Sequence, residues 1–210
     1  PAVAGLLMEK EIANLSRVFV GAPRPVTFVL GGTKVDDSIA VAENVLARGT
    51  ADRVIVVGVV ANVFLLAAGC NIGRPSTRLI DDLGYRGEIE RARSLLETYR
   101  DRILLPYAVA VREDGERVEY RVDAIPEDAQ VLDIGLESID RLTEVISTSG
   151  TVVVNGPAGL FEEEEFAVGT FEVLRAASMV EFSVVGGGHS GVAIERLGIE
   201  DRFTHISTGG

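Results

Sequence analysis

Val152-Val153-Val154-Asn155-Gly156-Pro157-Ala158-Gly159-Leu160-Phe161-Glu162 is the stretch on which the reading of the chain turns. An unbroken apolar β-branched run fits a strand covered on both faces, as in a parallel sheet wrapped by helices. A glycine and proline turn stops it, and Phe171, Leu174 and Met179 then recur at helical spacing. Working outward, the same order of apolar run, turn and amphipathic segment repeats. Further strands are predicted at Val26-Thr27-Phe28-Val29-Leu30, Val54-Ile55-Val56-Val57, Val131-Leu132, Phe182-Ser183-Val184-Val185 and Phe203-Thr204-His205-Ile206. Helical spacing appears at Leu6, Leu7, Ile12 and Leu15, at Ile39, Val41, Val45 and Leu46, and at Leu142, Val145 and Ile146. Residues 109–122 differ, alternating apolar and polar around Asp114-Gly115, which predicts a β-hairpin. The expected fold is α/β, a doubly wound, mostly parallel sheet in three Rossmann-like layers with an inserted β-hairpin. No linker or tandem repeat interrupts it, so residues 1–210 read as a single domain.

The chain has 210 residues, a formal net charge of −12 and 47% hydrophobic residues, enough for a sizeable core. That acidity argues against a nucleic-acid or membrane-surface partner, whose phosphates the mean field repels. The longest apolar stretch, Val54 to Ala68, is too short to span a bilayer and is interrupted by Gly58 and Asn62. Cys70 is the single cysteine, so no internal disulfide forms; it reads as a small core residue of a cytoplasmic protein. No secretory signal is visible. Without an initiator Met, and ending on Gly209-Gly210, the sequence is expected to be a piece of a longer protein.

Chemistry concentrates in turns that follow strands, at the sheet edge where open α/β folds bind ligands. Gly31 and Gly32 let backbone approach an anion closely, and Lys34 adds charge at a helix start. Only two lysines stand beside 18 arginines, so Lys34 is less easily read as interchangeable surface charge than as a phosphate contact. Asn155 can donate to a reacting oxygen or cap an Asx turn, and the rigid loop after it can aim Glu162 at a sugar hydroxyl. Residues 163–165 are expected in the solvated first turn of the next helix. Gly186-Gly187-Gly188-His189-Ser190-Gly191 matches a dinucleotide fingerprint in form, but the ribose-binding acid expected about 20 residues on is missing. His189 can meet phosphate, ligate a metal or cap a helix, and no second ligand clusters with it, so no metal site is assigned. Ser207, Thr208 and Gly209 offer hydroxyls and amides. No nucleophilic triad emerges, and His205, within an apolar run, reads as a core imidazole.

Taken in order, Pro1 to Glu11, Leu30-Gly31-Gly32-Thr33-Lys34-Val35, Leu132-Asp133-Ile134-Gly135, Asn155 to Glu162, Gly186-Gly187-Gly188 and His205 to Gly210 resemble phosphoglycerate kinase. The resemblance is to its C-terminal, nucleotide-binding half, in the archaeal rendering, and covers nearly the whole chain. It implies reversible phosphoryl transfer between ATP and 3-phosphoglycerate, with Mg²⁺ accompanying the nucleotide. It also implies that Lys34 holds the transferring phosphoryl group, Asn155 contacts the phosphates and Glu162 binds ribose. Gly187, Gly188, Ser207, Thr208 and Gly209 would line the phosphates, with His189 and Ser190 beside them, while Leu132 and Gly58 border adenine. Three positions depart from the family: His189 replaces the usual Mg²⁺-contacting Asp, Ser38 replaces a second Lys, and the adenine wall carries fewer glycines. The domain that binds 3-phosphoglycerate is absent, so this chain is expected to bind ATP or ADP with little turnover. The rival readings are a non-catalytic assembly domain and a nicotinamide-dependent oxidoreductase.

Overall fold

Every residue of Val26–Leu30 is buried, and the strand serves two cores at once. Val26, Phe28 and Leu30 enter one apolar cluster and Val29 enters the other, the alternation expected of a strand with packing on both faces. The computed structural model describes residues 20–207, so the expected helix near Leu6 to Leu15, together with Thr208 and Gly209, lies outside the described residues. In chain order the strands are β1 (Val26–Leu30), β2 (Arg53–Val56), β3 (Ile103–Leu104), β4 (Ala108–Glu113), β5 (Glu116–Arg121), β6 (Val131–Ile134), β7 (Thr151–Asn155), β8 (Phe182–Gly186) and β9 (His205–Ile206). The α-helices are α1 (Val35–Ala47), α2 (Gly58–Ala67), α3 (Arg74–Asp82), α4 (Glu88–Tyr99), α5 (Leu136–Ser147), α6 (Val168–Ala177) and α7 (Gly188–Leu197).

Six strands form a parallel sheet in the order β3-β2-β1-β7-β8-β9. Helices α1 to α4 supply the cluster on one face, and α5 to α7 the cluster on the other. The chain is thus a doubly wound three-layer α/β fold, as the apolar runs predict. Strand order reverses between β1 and β7, and such a switch point opens a crevice at the carboxyl ends of the strands. Register makes that crevice level: Leu30 stands opposite both Val56 and Asn155, and Asn155 opposite Gly186. Four turns therefore leave the sheet at one height.

The hairpin is present, with β4 and β5 joined through Asp114 (φ 49°) and Gly115 (φ 85°), the paired positive dihedrals of a tight turn matched to strand twist. Val131-Leu132 does not join the main sheet as its apolar run suggests. β6 pairs antiparallel with β4 in a separate sheet of order β5-β4-β6, where Val131 and Leu132 are only half-buried. Other expectations are corrected as well. Met179 lies beyond the end of α6 and is 74% exposed. Residues 163–165 precede α6, partly in a 3₁₀ turn (Glu164–Phe166). Cys70 is half-buried at the rim of the core, and burial first, with Asp123 second, pushes its thiol pKa up. His205 is exposed on β9, a two-residue strand at the edge of the sheet.

Candidate functional site

Hydrogen bonds between the turns lock the sheet edge together. Gly31 N donates to Asn155 O (2.8 Å), Gly32 N to Pro157 O (2.8 Å), and Gly58 N to Ala158 O (3.1 Å). These amides are spent within the protein, so they hold the turns together. What the glycines supply is close approach. A Cβ at Gly156 (φ +88°) would stand 2.3 Å from Gly31 O, and one at Gly58 (φ +61°) would stand 2.7 Å from Pro157 O. Ser190, expected among the ligand contacts, is 1% exposed, and its Oγ accepts the Gly156 N–H at 3.1 Å. It ties the third turn to the second. Ser207 N likewise donates to Val185 O at 2.7 Å, leaving its hydroxyl as the group able to reach outward.

Donors without a partner inside the helix remain at the start of α7. Gly187 (φ 90°) caps α7 without a side-chain hydrogen bond, so the first-turn amides of Gly188, His189 and Ser190 have no partner within the helix. They form the positive end of the helix dipole. Asn155 Oδ1 lies 3.1 Å from where a Gly187 Cβ would sit, which places its carboxamide beside that helix start. Lys34 occupies the N-cap position of α1, is exposed, and forms no ion pair among the described residues. A cation and a helix N-terminus thus stand on either side of the switch point. His189 is exposed, its ring 6.2 Å from that of Phe161.

Beside these turns lies a cavity of about 540 Å³, a size suited to a small organic ligand. Gly32, Gly58, Leu132, Glu162 and His189, all named from sequence, line it, whereas Lys34, Asn155 and Gly187 lie at the turns outside its wall. Leu65 of α2, Pro75 and Leu79 of α3, and Val131 of β6 add apolar lining, with Asp128 and Gln130 beside them. The small antiparallel sheet thus forms one wall. Among the described residues no group of three or more His, Cys, Asp or Glu is placed to hold a metal ion.

A buried charge pair fixes that wall. Asp133 of β6 is 1% exposed; it accepts hydrogen bonds from Gly169 N and Ile134 N (both 2.9 Å) and pairs with Arg117 of β5 at 2.9 Å. Arg117 also donates to the carbonyls of Glu165 and Ile134, both at 2.9 Å, and lies 5.9 Å from the Phe166 ring centroid. Burial pushes the Asp133 carboxyl up to about 6, against the pull of Gly169, Arg117 and Ile134 in the other direction. Arg112, which lines the cavity, is likewise engaged, paired with Glu163 and 5.1 Å from the Phe166 ring. Sequence reading assigned no role to Arg112, Arg117 or Asp133. The alternating pattern of the hairpin signalled its shape but not which strand it would pair with.

Among the described residues no helix is long and apolar enough to cross a membrane. Comparison with known proteins returns one family throughout. The sequence model for phosphoglycerate kinase matches residues 1–210. A phosphoglycerate kinase of Methanocorpusculum labreanum is 60% identical over 208 residues, which is 99% of this chain and 51% of that protein. Phosphoglycerate kinase 2 of Methanosarcina acetivorans is 52% identical over 211 residues, all of this chain and 51% of that protein. The crystal structure of the Pyrococcus horikoshii phosphoglycerate kinase superposes with a TM-score of 0.86 at 42% identity, covering 98% of this chain and 52% of that one. The chain spans about half the length of the curated relatives it matches.

Proposed function

Because this chain belongs to the phosphoglycerate kinase family, we propose that it is the nucleotide-binding half of such an enzyme, a single domain over residues 1–210 that binds ATP and ADP. The observation that carries the reading is convergence: four turns from adjacent strands meet around one cavity, flanked by Lys34, which forms no ion pair among the described residues, and by the start of α7, which has no side-chain cap. In this reading the base lies between Gly58 and Leu132, and Glu162 meets the ribose. The phosphates run toward Asn155, Gly187, Gly188 and the Ser207 hydroxyl, with Thr208 and Gly209 continuing that rim. Ser190 and the paired glycines hold the turns in place and leave the phosphates to the α7 amides.

The reaction proposed for the whole protein moves the γ-phosphoryl group of ATP to a carboxylate oxygen of 3-phosphoglycerate. The bond from γ-phosphorus to the bridging oxygen breaks, a bond to the carboxylate oxygen forms, and ADP leaves with 1,3-bisphosphoglycerate as the other product. Lys34 would hold the transferring group by charge, and the α7 amides would stabilise the phosphate oxygens left behind. Mg²⁺, when bound to the nucleotide, supplies further charge neutralisation. With His189 at the turn and no carboxylate cluster among the described residues, this chain would meet the ion through the phosphates.

The second substrate would be held by a domain outside this chain, in a cytoplasmic protein. Since positioning supplies most of the catalysis in such transfers, the 210-residue chain alone should bind ADP and turn over little. An assay at saturating ATP and 3-phosphoglycerate, paired with the ADP dependence of the melting temperature, tests this. A melting temperature that rises with ADP and negligible turnover are expected. Turnover at full-enzyme rates would contradict the division of labour, and an unmoved melting temperature would contradict nucleotide binding.

A further inference from the structure

We propose that Asn62 reads the base of the bound nucleotide, its carboxamide pairing with the 6-amino group of adenine and a neighbouring ring nitrogen. This rests on the nucleotide-binding reading above. Asn62 sits in α2 within an otherwise apolar run, after Val59-Val60-Ala61 and before Val63-Phe64-Leu65. Only 3% of the residue is accessible, yet it lines the cavity. Among the described residues its carboxamide has no hydrogen-bond partner, although neither polar atom is fully sealed off. The small access it keeps is through the cavity wall.

An amide held almost wholly out of water with no protein partner gains nothing from packing, so a residue chosen for packing alone at this position would be apolar. Gly58, Asn62 and Leu65 stand at positions i, i+4 and i+7 of α2 and all line the cavity, so one helix face forms this wall. Gly58 leaves room beside the turns. Leu65, Pro75 and Leu79 add apolar lining suited to a flat ring. Asn62 lies between Gly58 and Leu65 on that face. A carboxamide presents a donor beside an acceptor. Adenine presents the complementary donor and acceptor on both of its edges, whereas the N7 edge of guanine presents two acceptors.

Calorimetric titration of the chain with ADP, and with the diphosphate of the purine ribonucleoside that lacks the 6-amino group, separates base reading from packing. The wild type should bind the second ligand about tenfold more weakly. Asn62→Leu should bind ADP about tenfold more weakly than wild type and no longer distinguish the two nucleotides. Unliganded Asn62→Leu should melt no lower than wild type, since it removes an unsatisfied amide. Should Asn62→Leu not fold, Asn62→Ser, too short to reach the base, gives the same readout. Retained discrimination in the variant, or an equal loss for both nucleotides, overturns the base-reading role alone. A wild-type chain that binds neither nucleotide overturns the nucleotide-binding reading itself.

Discussion

Replacing Arg117 by Met should destabilise the protein by an amount that depends on pH, because it strips a buried carboxylate of its countercharge. Asp133 is 0% exposed at its side chain and Arg117 is 16% exposed, so solvent screens the pair poorly. Asp133 titrates near 6 in the folded protein, above the ~3.9 of an unfolded chain. Folding therefore favours its protonated form: the stability this group contributes is fully present below about pH 4 and is lost as pH rises through 6. At ~1.4 kcal/mol per pH unit, that loss is roughly 3 kcal/mol. Without Arg117 the folded pKa climbs further, and each added unit extends the loss by another ~1.4 kcal/mol above pH 6. At pH 5 the carboxyl is largely protonated in both proteins, and the substitution should cost about 1 kcal/mol in lost hydrogen bonds. At pH 8 it should cost up to about 4 kcal/mol, the pH 5 cost plus ~1.4 kcal/mol for each pH unit between 6 and 8 that the raised pKa spans. Urea unfolding of both proteins at the two pH values provides the comparison, with Asp133→Asn in the Arg117→Met background expected to abolish the pH dependence. Equal destabilisation at pH 5 and pH 8 would refute the assignment of Asp133 as the buried titrating group.

The interlocked turns make further predictions. Gly156→Ala forces a Cβ to 2.3 Å from Gly31 O at a φ of +88°, and should destabilise by about 3 kcal/mol in urea unfolding, combining backbone strain with overpacking; a change within experimental error would show that the two loops are not in contact. Ser190→Ala leaves the Gly156 N–H without its acceptor and should destabilise by about 1–2 kcal/mol, with ADP affinity falling more than for an exposed α7 substitution such as Val192→Ala. Glu162→Gln should weaken ADP binding but not binding of the same diphosphate lacking the ribose 2′-hydroxyl, measured by calorimetry; equal losses for both would remove Glu162 from the sugar.

Much of the architecture was legible because it is written in local patterns. The run Val26–Leu30 reads as a central strand because it is short, β-branched and stopped by glycines, and all five of its residues are buried. The turn at Asp114-Gly115 announced a hairpin by its dihedral requirements. Residues 74–104 carry too weak a local pattern to read, yet they hold α3, α4 and β3; α3 buries only Ser76 and Ile80, too thin an apolar stripe to stand out. Val131-Leu132 misled because a short apolar run does not say which sheet it joins.

The site divides in the same way. Lys34, Asn155, Glu162 and the triple glycine were visible as residue types placed after strands. That the amides of Gly31 and Gly32 are already bonded, and that Ser190 faces Gly156, depends on the register between β1, β7 and β8, which no local pattern carries. Asn62 stood in the sequence as one interruption of an apolar run; only the cavity beside it gives the interruption a meaning.

The central claim is that these turns bind nucleotide phosphate through Lys34 and the start of α7. Calorimetric titration of the chain with ADP, with and without Mg²⁺, beside Lys34→Ala tests it most directly. Lys34 is exposed and forms no ion pair among the described residues, so its removal should leave the melting temperature of the unliganded chain unchanged. The account predicts saturable ADP binding by the wild type and binding at least tenfold weaker in the variant, a loss fitting one charge-assisted phosphate contact. Equal ADP affinity in the two proteins, or no binding by a demonstrably folded wild-type chain, would contradict it.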